Sequence, residues 1–233
     1  MFILSIAFIL SLLLLSYLYF RNSILKKQVL DFQLLAMHSQ MNPHLVFNSL
    51  NIIKHFVYIN NNKKADFAID CFSIFLRRFL EYSSKQEIQI IDEVKLLETY
   101  INLEKLRSND SFDYEIKIVN GIQNIFIPNL IIQPYVENAI KHGVLNLEYP
   151  GKIEINFIKD KREIVCTIRD NGKGYENKCP SNLNVGKHEP KGLLLVSKKI
   201  LILKKLKKAK VEVMVKDLKT QNRSGTEICL KIS

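Results

Sequence analysis

The sequence predicts a membrane-anchored chain of two unlike folded parts: an all-α helical hairpin behind an apolar N-terminal helix, then an α+β layer of mixed or antiparallel sheet. Three observations carry this. Residues 1–20 hold no charge and, as polar side chains, only Ser and Tyr. From there to about residue 82 the apolar residues recur at helical spacing. Beyond residue 83, short alternating runs bounded by turn residues are interleaved with helical stretches.

Taken in order, the apolar segment comes first. At a rise of ~1.5 Å per residue, twenty helical residues reach about 30 Å, the thickness of a bilayer core. Arg21, Lys26 and Lys27 follow it, and its other side offers only the amino terminus, so the positive-inside rule puts the remainder in the cytoplasm. A signal peptide fits less well, because no basic n-region precedes the long apolar run and no small-residue cleavage site follows it. The expected location is the plasma (inner) membrane, crossed once, with the basic flank against anionic lipid.

From about residue 22 to residue 58, Ile24, Val29, Phe32, Leu35, Val46, Phe47, Leu50, Ile53 and Val57 fit one helix passing through Pro43. Proline removes a donor and biases Asn42 away from helical geometry, so a kink should present His44 outward. Asn48 lies one turn on, where its amide reaches an imidazole nitrogen. Three asparagines, Asn60 to Asn62, end the helix. A second runs from Lys63 to Tyr82, and a hairpin with such wide apolar faces predicts a four-helix bundle in a homodimer.

Next come an extended piece at Ile88 to Ile91, a helix from Asp92 to Ser108, and a strand from Phe112 to Val119 ending at Asn120-Gly121. A helix is expected from Asn129 to Val144, strands at Ile153 to Phe157 and Ile164 to Arg169, and a helix from Leu193 to Lys208. Strands at Val211 to Val215 and Glu227 to Ile232 close the chain. The domains expected are 1–20 (membrane helix), 21–85 (dimerisation hairpin) and 86–233 (α+β domain).

Composition narrows the function. The 233 residues are 47% hydrophobic and 24% charged, a globular balance. The net charge of +11 falls beside the membrane and on Lys198, Lys199, Lys204, Lys205, Lys207, Lys208 and Lys210, which read as the wet face of an amphipathic helix. No nucleic-acid-binding signature accompanies them, and no direct nucleic-acid partner is expected. Cys71, Cys166, Cys179 and Cys229 are scattered, without zinc-site or disulfide-framework spacing.

Two further motifs stand in the second half. In Glu137-Asn138-Ala139-Ile140-Lys141-His142-Gly143 one helix face offers an amide oxygen for a hard cation, two phosphate-binding groups and a carboxylate. In Asp170-Asn171-Gly172-Lys173-Gly174 an acceptor-only carboxylate at a strand end suits an exocyclic amine, and the glycines allow close approach.

Together these resemble the LytS/YehU type of sensor histidine kinase, whose catalytic half is a GHKL (Bergerat-type) ATP-binding sandwich. The phosphoacceptor motif resembles residues 40–48, with Leu45 and Val46 in place of phenylalanine and leucine. The leucine-arginine segment resembles Leu76-Arg77-Arg78-Phe79, and the linking helix resembles residues 93–107 with Tyr100, Glu104 and Arg107. The N-box is similar to residues 137–143, the first glycine box to residues 170–174, and the closing pair to Gly225-Thr226. The resemblance implies that His44 takes the γ-phosphoryl group of ATP, with Asn48 beside it, and passes it to an aspartate of a response regulator, of LytTR type in this family. It implies Mg²⁺ at Asn138, Glu137 as the group that orients or deprotonates the imidazole, and Lys141 or His142 on phosphate. Asp170, Gly172, Gly174 and Thr226 would form the adenine pocket. The second glycine box departs from the pattern: Gly192 is kept, but Leu194 stands for glycine and Ser197 for asparagine. That departure raises the alternative of a membrane-anchored pseudokinase, acting as scaffold or phosphatase, with weakened ATP binding. The polar stretch 175–191 reads as a nucleotide lid, with Lys187 or Lys191 available to it.

Overall fold

The computed structural model describes residues 10–20, 43–145, 147–174, 191–206, 208–218 and 224–233. Residues 10–20 are helical (α1), with Leu10, Leu12, Leu13, Leu14 and Leu15 all exposed. The first nine residues of the expected membrane span and its basic flank lie outside the described residues. Among the described residues no helix is long and apolar enough to cross a membrane.

Helix α2 (Pro43–Tyr58) begins at the proline, a position where the missing N–H costs nothing and the fixed φ suits a first turn. The continuous helix and kink expected upstream of it fall on residues 21–42, outside the described residues. Asn60 turns the chain in left-handed geometry at φ 53°, and the Asn61 side chain accepts the Lys64 N–H at 3.2 Å to cap α3 (Asn62–Ser83). Helix α3 buries Ala65, Ala68, Cys71, Phe75, Phe79 and Tyr82, a stripe at helical spacing.

Strand β1 (Glu87–Gln89) leads into α4 (Ile90–Arg107). This helix carries Asp92 and Glu93 in its first turn and Lys105 and Arg107 in its last, matching the helix dipole. It is buried nearly all round. Phe75, Phe79 and Tyr82 of α3 and Ile153, Ile155 and Phe157 of the sheet belong to the same apolar cluster as its Leu97, Tyr100 and Ile101. The core is therefore continuous from the hairpin into the α+β part.

The sheet has the order β2-β4-β5-β7-β6, from β2 (Phe112–Ile118), β4 (Gly151–Asp160), β5 (Glu163–Asp170), β6 (Val211–Asp217) and β7 (Thr226–Ile232). Only β2 and β4 pair in parallel, which makes the sheet mixed, one of the two arrangements the sequence leaves open. A short β3 (Phe126–Pro128), not foreseen from the sequence, pairs antiparallel with β1.

The helix expected from Asn129 starts later. Leu130 adopts φ 49°, and the Glu93 carboxylate accepts the N–H groups of Leu130 (3.1 Å) and Ile132 (3.3 Å), so these donors are satisfied outside any helix. Helix α5 (Gln133–Asn138) begins beside Pro134, then widens into a π-helical turn (Ala139–Val144) in which the Leu145 N–H reaches Ile140 O at 2.9 Å. Helix α6 (Lys191–Lys205) covers the same face of the sheet, its Val196, Ile200 and Leu203 buried in the common core.

Candidate functional site

Asp170 ends β5 with only 5% of its surface exposed. Its Oδ1 accepts the N–H of Gly172 at 2.9 Å and of Thr226 at 3.3 Å. Burial raises the carboxyl above the usual carboxylate range, and the two backbone donors oppose that shift. The buried carboxylate is thereby fixed as an acceptor where β5 and β7 leave the sheet.

The backbone around it is too close for side chains. A Cβ on Gly172 would stand 2.3 Å from Gly143 O, and one on Gly143 would stand 2.8 Å from Asp170 Cγ. Gly225, at φ 139°, would place a Cβ 2.1 Å from Asp170 O. The end of the 137–143 motif, the 170–174 motif and the Gly225-Thr226 pair thus meet in one cluster, although they are far apart in sequence. Gly174 lies at its edge with φ 75°, against Asp217 Oδ1. The loop is pinned from outside: Tyr149 Oη donates to Asn171 O at 2.9 Å, and Asn171 Oδ1 accepts the Lys152 N–H at 2.6 Å.

On α5 and the π-helical turn, Glu137 forms an ion pair with Lys141, both partly exposed; Asn138 is half-buried and His142 exposed. The wider turn shifts Lys141 and His142 relative to Asn138 from the α-helical spacing assumed in the sequence reading. Beneath Glu137, the buried Tyr100 hydroxyl has its ionisation pushed well up, first by burial and then by the charges of Glu104 and Glu137. Glu104, itself 2% exposed, is held by Arg107 at 2.6 Å.

His44 lies in the first turn of α2 by its backbone, and its side chain is outside the described residues; Gly192 lies in the first turn of α6. Asn48 borders a cleft with Asn51, Ile52, His55, Phe56, Leu106, Arg107 and Asn109. None of these belongs to the motifs around Asp170. The structure therefore assembles the Asp170 cluster and the Glu137 face on one side of the sheet, and seats the His44 helix on the far end of α4.

One sequence expectation for α6, which of its faces is wet, is corrected. Leu194 is an ordinary helical residue, half-buried, where no glycine-only conformation is needed. Ser197 turns its hydroxyl back onto Leu193 O at 2.7 Å. Lys199, read as part of a wet face, is 5% exposed, whereas Leu201, read as apolar face, is 56% exposed. The signal was available: Lys199 lies three residues after Val196 and four before Leu203, on the apolar stripe. The stretch 175–190, read as a lid, lies outside the described residues.

The cluster and helix face fit a nucleotide and its cation by the chemistry of their donors: a buried acceptor for an amine, close-approach glycines, and an amide, a lysine and a histidine on one helix. Known proteins similar to the chain include histidine kinases. Residues 32–112 match the family described as histidine kinase. The chain is 32% identical over 151 residues to the sensor protein LytS of Staphylococcus haemolyticus (strain JCSC1435), which covers 65% of this chain and 26% of that protein. It is 32% identical over 149 residues to the sensor histidine kinase/phosphatase LytS of Staphylococcus aureus (strain MRSA252), covering 64% and 25%. Among solved structures, the histidine kinase domain of the Erythrobacter litoralis EL346 blue-light activated histidine kinase aligns with a TM-score of 0.45 at 13% identity, over 88% of this chain and 95% of that one. The chain spans about a quarter of the length of the curated relatives it matches. The chain is thus similar to histidine kinases over residues 32–112 and to LytS sensor proteins over about 150 residues.

Proposed function

We propose that the chain is the kinase part of a two-component sensor: it phosphorylates its own His44 from ATP and passes the phosphoryl group to an aspartate of a response regulator, of the LytTR type suggested by the family resemblance. The observation that carries this reading is the convergence of Gly143, Asp170, Gly172 and Thr226 on one buried carboxylate. Asp170 is the acceptor for the adenine amine, and Gly172, Gly174 and Thr226 shape the ring pocket. Asn138 would hold Mg²⁺, which would supply charge neutralisation for the phosphates. Lys141 and His142 contact phosphate, and Gly192 opens the helix at the far side of the nucleotide.

In the transfer, an imidazole nitrogen of His44 forms a bond to the γ-phosphorus as the bond to the β,γ-bridging oxygen breaks, and ADP departs. Glu137 takes the imidazole proton once it parts from Lys141, and Asn48 orients the ring. Phosphoryl transfer of this kind needs in-line placement and charge compensation more than covalent help. Asn48 of α2 lines a cleft with Arg107, and the γ-phosphoryl group is brought to His44 from the same chain or from a second protomer. A homodimer, residues 1–20 as a single membrane-crossing helix, and residues 21–85 and 86–233 as hairpin and catalytic domains complete the reading.

The test is incubation of the full chain with γ-labelled ATP and Mg²⁺, with His44→Ala and Asp170→Asn alongside. Acid-labile, alkali-stable label absent from both variants is the expected result. Label that survives His44→Ala would move the acceptor elsewhere, and a folded chain that takes no label and binds no Mg·ATP would end the kinase reading.

A further inference from the structure

Lys199 is buried in the core of the catalytic half, where its ammonium group donates to both oxygens of Asn129: the backbone carbonyl, and Oδ1 at 2.5 Å. Asn129 is itself fully buried. Its Nδ2 donates to Tyr82 O at 2.7 Å, at the end of α3, and its N–H donates to Gln86 O at 3.2 Å. One residue further on, the fully buried Glu93 carboxylate of α4 takes the Leu130 and Ile132 N–H groups. Four segments meet here: the end of the hairpin, the first turn of α4, the entry to α5, and the middle of α6.

Taking an ammonium group out of water is costly, and here the two buried Asn129 oxygens offset that cost by accepting from it. The geometry of the lysine is specific. It fixes α6 at one point, and Gly192 lies seven residues before it, about 10 Å along a stiff helix. Its partner Asn129 lies immediately before the backbone that opens α5, the helix carrying Glu137 and Asn138.

We propose that Lys199 is a positioning residue: through Asn129 it sets α6, and with it Gly192, in register with the helix of Glu137 and Asn138, and ties both to the end of the phosphoacceptor hairpin. This rests on the nucleotide reading above.

The experiment compares the full wild-type chain with Lys199→Met. Mg·ATP affinity is measured together with amide hydrogen exchange in the absence of nucleotide, at a temperature where circular dichroism shows both proteins folded. Expected are about tenfold weaker Mg·ATP binding and faster exchange at both α6 and the Leu130 and Ile132 amides. Unchanged affinity in a folded Lys199→Met protein overturns the proposal and leaves the kinase reading standing. If Lys199→Met does not fold, wild type alone decides: Mg·ATP must slow exchange at Leu130 and Ile132 together with α6, and protection of α6 without them overturns the proposal. Wild type that binds no Mg·ATP sinks the kinase reading and this inference with it, a result distinct from either of those.

Discussion

Glu93 has no exposed surface, and burial pushes its carboxyl up from 4.5 to about 7; the Leu130, Ile132 and Gln133 N–H groups and the Lys199 charge pull the other way. Lys199, facing it from α6, is driven down from 10.5 to about 7 by the same burial. For Glu93 the sign follows from proton counting. Between about pH 4.5 and 7 the unfolded chain is ionised and the folded chain keeps its proton, so the native state binds more protons and stability falls as pH rises. In Glu93→Gln that loss is removed. Measured as urea midpoints, wild type is expected to lose stability relative to Glu93→Gln on going from about pH 5 to about pH 8. A difference that stays flat over that range would mean Glu93 is ionised throughout and compensated more fully than its surroundings indicate. Neither Glu93 nor Lys199 stands out in the sequence, because a buried charge is specified by partners that the fold brings from elsewhere. Asp170 was legible by contrast, since its glycines are its sequence neighbours.

At the scale of elements, the helices and strands with strong periodicity fall where the residue pattern puts them. Helix α3 follows its stripe of Ala68, Cys71, Phe75 and Phe79, and β7 alternates buried and partly exposed residues along its length. The entry to α5 does not, because the side chain that captures the Leu130 and Ile132 donors comes from a helix 37 residues earlier in the chain. The helix expected from Leu193 is observed as α6, and within it Leu194 is a residue of good helix propensity. Leu194→Gly should therefore fail to act as a restoration. It is expected to destabilise the chain by about 1 kcal/mol from helix propensity alone, with no gain in Mg·ATP affinity, and a variant that binds nucleotide more tightly than wild type would show that the backbone there must leave the helix.

Across the whole molecule the apolar surface is unevenly spent. Helix α4 is enclosed between α3 and the sheet, but the outer side of the hairpin leaves Phe47, Leu50 and Val57 of α2 and Phe67, Ile69, Ile74 and Leu80 of α3 exposed, each by more than two-fifths. On α3, Phe67 and Ile74 lie on one flank of the buried stripe and Ile69 and Leu80 on the other, and monomers seldom leave so much apolar surface uncovered. The proposed homodimer would cover this surface with the same hairpin of a second copy, in a four-helix arrangement. This surface can be altered without unfolding the rest: Ile74 and Leu80 flank, and lie outside, the stripe of Cys71, Phe75 and Phe79 that joins α3 to α4. Replacing both by glutamate places like charges against each other only in the dimer. Light scattering of the full chain in detergent micelles is expected to show a dimer for wild type and a monomer for Ile74→Glu/Leu80→Glu, while Mg·ATP binding at the Asp170 cluster is retained. A double variant that stays dimeric would place the partner on another face; one that loses nucleotide binding as well would show that the hairpin and the sheet are not separable in stability.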